Sequence, residues 1–409
     1  MRAGAENAVV VGSGPNGLAA AVALARAGLG VTVFEGAAEI GGGLRTRELT
    51  LPGLTHDVCS AVHPLGVTSP FFRSLPLEEH GLRWRWAEVD LAHPLDGGRA
   101  VAMHRALAAT AEGLGADGAA WERLAGPFAR RLDALLDDIL QPLPHAPRHP
   151  LLLARFGALA VLPASVVARA FRTAEARALF AGIASHSLQP PRAALTSATA
   201  LTLVAAGHAA GWPVAEGGSG AVARALAGVL RGLGGEIVTG MSVTSLRDLP
   251  AARVTMLDVA PGAVVRLAGG RLPDRVRRQL ARWRHGPAAF KLDLAVEGGV
   301  PWAAEVCRRA GTVHVGGTIE EIDDAESAVV RGRMPERPFV LVAQQYLADP
   351  RRSVGNVHPV WTYAHVPNGY AGDASEAIVG QIERFAPGFR DRIVGRAVRS
   401  TAQMAAYNP

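Results

Sequence analysis

"AVVVGSGPNGLAAAVALARAGLGVTVFEG", residues 8–36, reads as strand, turn, helix and strand in one short unit. Val9 to Val11 form a buried strand, a helix runs from about Pro15 to Ala27, Gly28 ends it, and Val31 to Glu35 form a second parallel strand. Gly12, Gly14 and Gly17 satisfy the G-x-G-x-x-G spacing. Gly12 makes the tight turn, Gly14 lets backbone approach a pyrophosphate, and Gly17 lets helix pack on strand. The helix N-terminus, with Pro15 at its start, then presents free N–H groups and the positive end of its dipole to phosphate. Glu35 closes the second strand, where a carboxylate can accept from a ribose hydroxyl pair. The motif by itself fits FAD or NAD equally.

The next residues narrow the choice. "AAEIGGGLRTRE" (37–48) adds a second glycine turn, Gly41 to Gly43, and a cation, Arg45, directly after the ribose-binding acid. With this turn the chain resembles the FAD-dependent amine oxidase and phytoene desaturase superfamily. The resemblance implies FAD as cofactor, with Gly42, Gly43, Arg45 and Thr46 near its pyrophosphate or flavin. A second unit, "PVAEGGSGAVARALAGVLRGLGGEIVTGMSVTSL" (213–246), reads as a glycine turn, a helix stopped by Gly234–Gly235, and a strand from Glu236 to Thr239. By resemblance it returns the chain to the nucleotide domain and places Val243 against adenine. "RVTMLDVAP" (253–261) resembles a further strand of that sheet.

The expected fold class is α/β plus α+β, a Rossmann-like FAD-binding domain with an inserted substrate domain containing an antiparallel sheet and helices. Its domain is discontinuous: residues 1–75 and 213–262 bind FAD, 76–212 are the helical part of the substrate domain, and 263–400 supply its sheet and further helices. Residues 401–409, read as loop, begin a C-terminal FAD-binding segment that the resemblance implies and the sequence does not complete. Strands are expected at "AAFKLDLAV", "GTVHVGG", "PFVLVAQQY" and "HPVWTYAHVP", with a helix at "SEAIVGQIERFA".

The 42 basic residues include a single lysine, Lys291. In "AAFKLDLAV" Phe290, Leu292, Leu294 and Val296 share one face, and Lys291 and Asp293 share the other. A lysine has a compact ammonium whose pKa falls on burial, whereas guanidinium stays charged. By resemblance to the amine oxidase branch, Lys291 holds a water beside the flavin. The plainer reading is a partly solvated pair with Asp293. His56 is a second candidate for catalysis, and His63 and His186 are further histidines near the expected flavin loop and helical region.

The net charge is +6, but the arginines are scattered and no nucleic-acid motif occurs, so nucleic acid is not an expected partner. Cys59 and Cys307 lie far apart and form neither a dithiol motif nor a zinc pattern, and no metal is expected. The N-terminus lacks a signal pattern, which reads as cytoplasmic. "LLLARFGALAVLPASVVARAF" (151–171) is broken by Arg155, Pro163 and Arg169, and reads as a buried helix pair in preference to a surface resting on a membrane. Stretches 56–84, 208–226, 290–302, 307–317 and 382–393 together resemble the phytoene dehydrogenase-related group. That resemblance implies an FAD-dependent oxidoreductase that takes a hydride from a largely apolar small molecule and passes electrons to oxygen or a quinone. The alternatives are a flavin amine or amino-acid oxidase, and a lipid- and protein-binding relative of the GDP dissociation inhibitors on the same fold.

Overall fold

In the computed structural model, which describes residues 7–142 and 144–408, the opening stretch folds as β1 (Asn7–Val11), α1 (Pro15–Arg26) and β2 (Gly30–Phe34). β1 and β2 pair in parallel, Val9 opposite Thr32. Two later strands complete the sheet, both parallel: Val254–Leu257 beside β1 and Glu236–Val238 beside β2. Along β1, Ala8 and Val10 turn to α1 and the helix Gly220–Gly232, while Val9 and Val11 meet Phe34 on the opposite side. A Cβ at residue 17 would stand 2.1 Å from the Gly12 carbonyl oxygen, so α1 can lie on the turn only with glycine there.

The second sheet has seven strands and is mixed. Its order is Ile393–Arg399, Ala288–Glu297, Val357–Val366, Val340–Ala343, Ala310–Val315, Val89–Leu95, Arg99–Met103. All neighbours are antiparallel except Ala310–Val315 with Val89–Leu95, which is parallel. The sheet expected as antiparallel is so at every pairing but that one. The same hairpin corrects the reading of 76–212 as helical, because two strands of the sheet come from within it. Phe290, Leu292, Leu294 and Val296 do share a face, under the helix Ser375–Phe385. Each such side chain contributes about 1.5–3 kcal/mol by leaving water.

The other face carries Lys291, Thr312, His314 and Trp361 and is covered by helices, chiefly Gly118–Ala129, Ala174–Ala184 and Thr196–Ala210. Residues 151–171 form two short helices, Pro150–Ala160 and Ala164–Val167, whose inner residues Leu152, Phe156 and Val167 are buried and whose Leu151 is 86% exposed. No single helix among the described residues is long and apolar enough to cross a membrane. The segment read as a loop after Ser400 is a helix, Thr401–Tyr407, started by a capping box in which Ser400 and Gln403 bond reciprocally.

Candidate functional site

A groove of about 840 Å³ runs along the ends of the parallel strands. Gly12, Gly14, Glu35, Gly42, Gly43, Arg45 and Val243 all line it. Pro15 and Gly17 sit in the first turn of α1 without lining it. The two glycine turns face each other closely, and a Cβ at residue 42 would stand 3.1 Å from the Gly14 Cα. Thr46 does not reach the groove. Its hydroxyl donates to Asp57 Oδ1 at 2.8 Å and accepts from the Gly220 N–H at 2.9 Å, which sets it behind the groove wall and not on the surface expected to face a pyrophosphate or flavin.

Charge in the groove is arranged in pairs. The Glu35 carboxylate accepts from the N–H groups of Ser13 at 3.0 Å and Ala37 at 2.9 Å, and from Arg45 Nη2 at 3.2 Å. Arg45 also donates to the Glu39 carbonyl and lies 5.0 Å from the Tyr407 ring centre. Asp258, on the far wall, accepts from the Gly17 N–H at 2.7 Å. Burial pushes that carboxyl above its ordinary value, and Glu35 adds to the effect against the Gly17 bond. An acid at the end of β2, facing glycine turns, a helix N-terminus and an arginine, fits the ADP half of a dinucleotide. Asp258 was not anticipated, although it lies within the stretch 253–261 expected to hold a strand, directly after the strand Val254–Leu257.

The second cavity, about 520 Å³, lies between the helices and the seven-stranded sheet. Its wall is mostly aliphatic and aromatic, and no Asp, Glu or Arg contributes to it. Lys291 does contribute, and is buried. Its ammonium donates to Asp293 and lies 4.8 Å from the Trp361 ring centre. Burial lowers the Lys291 pKa, with Asp293 pulling the other way. The pair is therefore real but not partly solvated, as the plainer sequence reading had it. His56 lines neither cavity; it sits behind the pair, Nδ1 3.5 Å from Asp293 and Nε2 2.8 Å from the Thr50 hydroxyl. That position removes His56 from direct contact with a ligand. His63 and His186 do line the pocket. His63 bonds the Ser219 hydroxyl at 2.8 Å, and burial lowers its pKa to about 4.

A thin wall separates the cavities. The Ser60 N–H donates to the Gly43 carbonyl at 2.9 Å, and Gly43 faces the groove while Ser60 and Cys59 face the pocket. The helix Thr401–Tyr407 also shares both sides, with Met404 on the pocket and Tyr407 on the groove. Below the wall, Asp57 accepts from Arg352 Nη1 and from the Ser219 N–H, both at 2.6 Å. This fully buried tie joins the strand Thr55–Asp57 to the glycine turn at 217–220 and to Arg352, in the connection between two strands of the second sheet. Among the described residues no group of His, Cys, Asp or Glu could hold a metal ion.

Residues 10–75 match the family model described as an NAD(P)-binding Rossmann-like domain. No curated protein matches the chain. Among solved structures, an oxidoreductase from Methanosarcina mazei aligns at TM-score 0.61 and 15% identity, covering 96% of this chain and 88% of that one. Putrescine oxidase bound to putrescine aligns at 0.59 and 17%, covering 96% and 84%. Cyclohexylamine oxidase from Brevibacterium oxydans aligns at 0.54 and 16%, covering 98% and 85%. At these identities the likeness establishes a shared fold: a Rossmann-like domain carrying a mixed sheet and helices.

Proposed function

We propose that the chain is an FAD-dependent oxidoreductase that takes a hydride from an uncharged, largely apolar small molecule. The observation that carries this reading is the shared wall. A nucleotide groove and an apolar pocket meet at Gly43 and Ser60, with Lys291 in the pocket, so one long cofactor anchored in the groove has a reactive ring within reach of the pocket's contents. Gly12, Gly14, Gly42 and Gly43 would hold the pyrophosphate, Glu35 and Arg45 the ribose and phosphate charge, and Val243 the adenine. FAD, when bound, supplies the hydride acceptor. The chain's own part is to exclude water with the apolar wall, to position the substrate, and to offer the Lys291 ammonium to an oxygen atom of water or substrate.

The discontinuous domain arrangement belongs to the same proposal and is supported by the strands 236–238 and 254–257 that join β1 and β2. So does membership of the phytoene dehydrogenase-related group, with oxygen or a quinone taking the electrons, no nucleic-acid partner, and a cytoplasmic location. A membrane contact has only exposed residues such as Leu151 in its favour. The second reading, an amine oxidase, draws on the likeness to the putrescine and cyclohexylamine oxidases. Against it, the pocket wall has no carboxylate to receive an ammonium and already holds one in Lys291. A GDP-dissociation-inhibitor-like role draws no support from either cavity. Calorimetric titration with FAD and with NAD+ tests the cofactor. FAD binding at least tenfold tighter is the expected result, and tighter NAD+ binding would overturn the reading.

A further inference from the structure

The inner wall of the apolar pocket carries polar atoms that the protein itself leaves unanswered. Thr312 and His314 stand two apart on Ala310–Val315, on the face turned to the helices. Thr312 is 4% exposed and lines the pocket, yet its hydroxyl has no hydrogen-bond partner. His186, in the same wall, bonds through Nε2 to the Nε2 of His314, two residues along the strand from Thr312, at 3.0 Å. An unpaired buried hydroxyl costs about 1–3 kcal/mol, so its retention in an otherwise apolar wall calls for a ligand that answers it.

The proton positions follow from the same bonds. Burial lowers the His186 pKa to about 3 and His314 well below its ordinary value, so both rings are neutral. His314 Nδ1 is buried without a partner. An orphaned N–H is rarer in folded proteins than an under-used acceptor, so His314 keeps its proton on Nε2 and donates it to His186. His93, the next histidine on this face, cannot relieve His314: its Nε2 donates to the Gly317 carbonyl at 2.7 Å, and its own Nδ1 is unpartnered too. His186, having accepted at Nε2, carries its proton on Nδ1, the one ring nitrogen left for the pocket.

We propose that this end of the pocket is a hydrogen-bonding subsite for an uncharged oxygen function, a carbonyl or hydroxyl on an otherwise apolar molecule, held by His186 Nδ1–H and the Thr312 hydroxyl. A cation finds no acceptor charge there and an anion finds only neutral donors. The pocket's role as the substrate's place rests on the oxidoreductase reading, but binding at the subsite can be measured without cofactor.

Three probes of matched shape separate the chemistries: 4-phenyl-2-butanone, butylbenzene and 4-phenylbutylamine, titrated against the full chain with and without FAD. Trp212 and Trp361 line the pocket and report occupancy by fluorescence. The ketone is expected to bind about tenfold tighter than the hydrocarbon, as one to two hydrogen bonds allow, and the amine weakest. Thr312→Val and His186→Phe should each remove most of the ketone's advantage while leaving butylbenzene binding within about twofold, which also shows that the variants fold. Thr312→Ser should keep the advantage. Equal binding of ketone and hydrocarbon by the wild type, an advantage that survives both substitutions, or tightest binding of the amine would overturn the proposal. A full ketone preference in protein that takes up no FAD supports the subsite and contradicts the flavin reading.

Discussion

The Lys291 ammonium lies 4.8 Å from the centre of the Trp361 ring and donates to Asp293, whose own partner across the sheet is Trp361. One buried cation is thus held between an anion two residues along its strand and a ring on the next. His56 Nδ1 stands behind the same carboxylate at 3.5 Å. A guanidinium would replace a compact donor with a planar one too large for this arrangement, which accounts for a lysine in a chain that otherwise uses arginine.

Removing only the lysine strands a buried charge. Lys291→Met should cost about 3–5 kcal/mol in urea unfolding. Adding Asp293→Leu should restore most of it, because a buried pair replaced by apolar residues of similar size is often neutral. A double variant no more stable than Lys291→Met would show that the two residues are not a coupled unit.

Asp57 concentrates a second buried network. Burial raises its carboxyl, but Arg352, Ser219 and Thr46 together hold it below the ordinary value. Asp57→Ala removes the acceptor for these donors and for Gln345, and leaves the buried Arg352 with Asp349 alone, 3.7 Å from its Nε. A loss of about 3 kcal/mol is expected from the weakened compensation of that guanidinium. An unfolding midpoint within experimental error of wild type would contradict the role assigned to the tie.

Acid should unfold the protein through its histidines before its carboxylates. Burial lowers His63, His93 and His208 to about 4. The unfolded chain takes up these protons near pH 6.5 and the folded chain only near 4, so the folded state is favoured fully above 6.5 and loses ground as pH falls. Each histidine contributes a slope of up to about 1.4 kcal/mol per pH unit in that window, so these three together give about 4, and the lowered His186 and His314 add to it with the same sign. Urea midpoints at pH 7.5 and 5.5 should differ accordingly, and a flat profile would sink this assignment.

The nucleotide unit was legible in the sequence because its signals are local. Three glycines, a run of valines and an acid at the end of the second strand lie within residues 8–36, and the structure puts Gly12, Gly14 and Glu35 on one groove. Lys291 was legible for the same reason, since alternation along one strand separates it from Phe290 and Leu292. The hairpin 89–103 was not legible as strand: all seven residues of Val89–Leu95 are buried, which erases the period of two, and Pro94 reads as a breaker. The helix at 401–407 has a visible signal in Ser400 and Gln403, three apart, but at seven residues it is too short to show the apolar period of a helix. The subsite at Thr312 had none. It depends on His186 meeting His314 across 128 positions of sequence, a contact made by the tertiary fold alone.

The most direct test of the cofactor reading is the visible absorption spectrum of the purified protein after incubation with FAD and gel filtration, beside that of Gly14→Val. One bound FAD per chain in the wild type, and little or none in the variant because its side chain fills the pyrophosphate approach, is the expected result. A colourless wild type, or a Gly14→Val protein that keeps its full complement of FAD, would contradict the assignment of this groove to the flavin nucleotide.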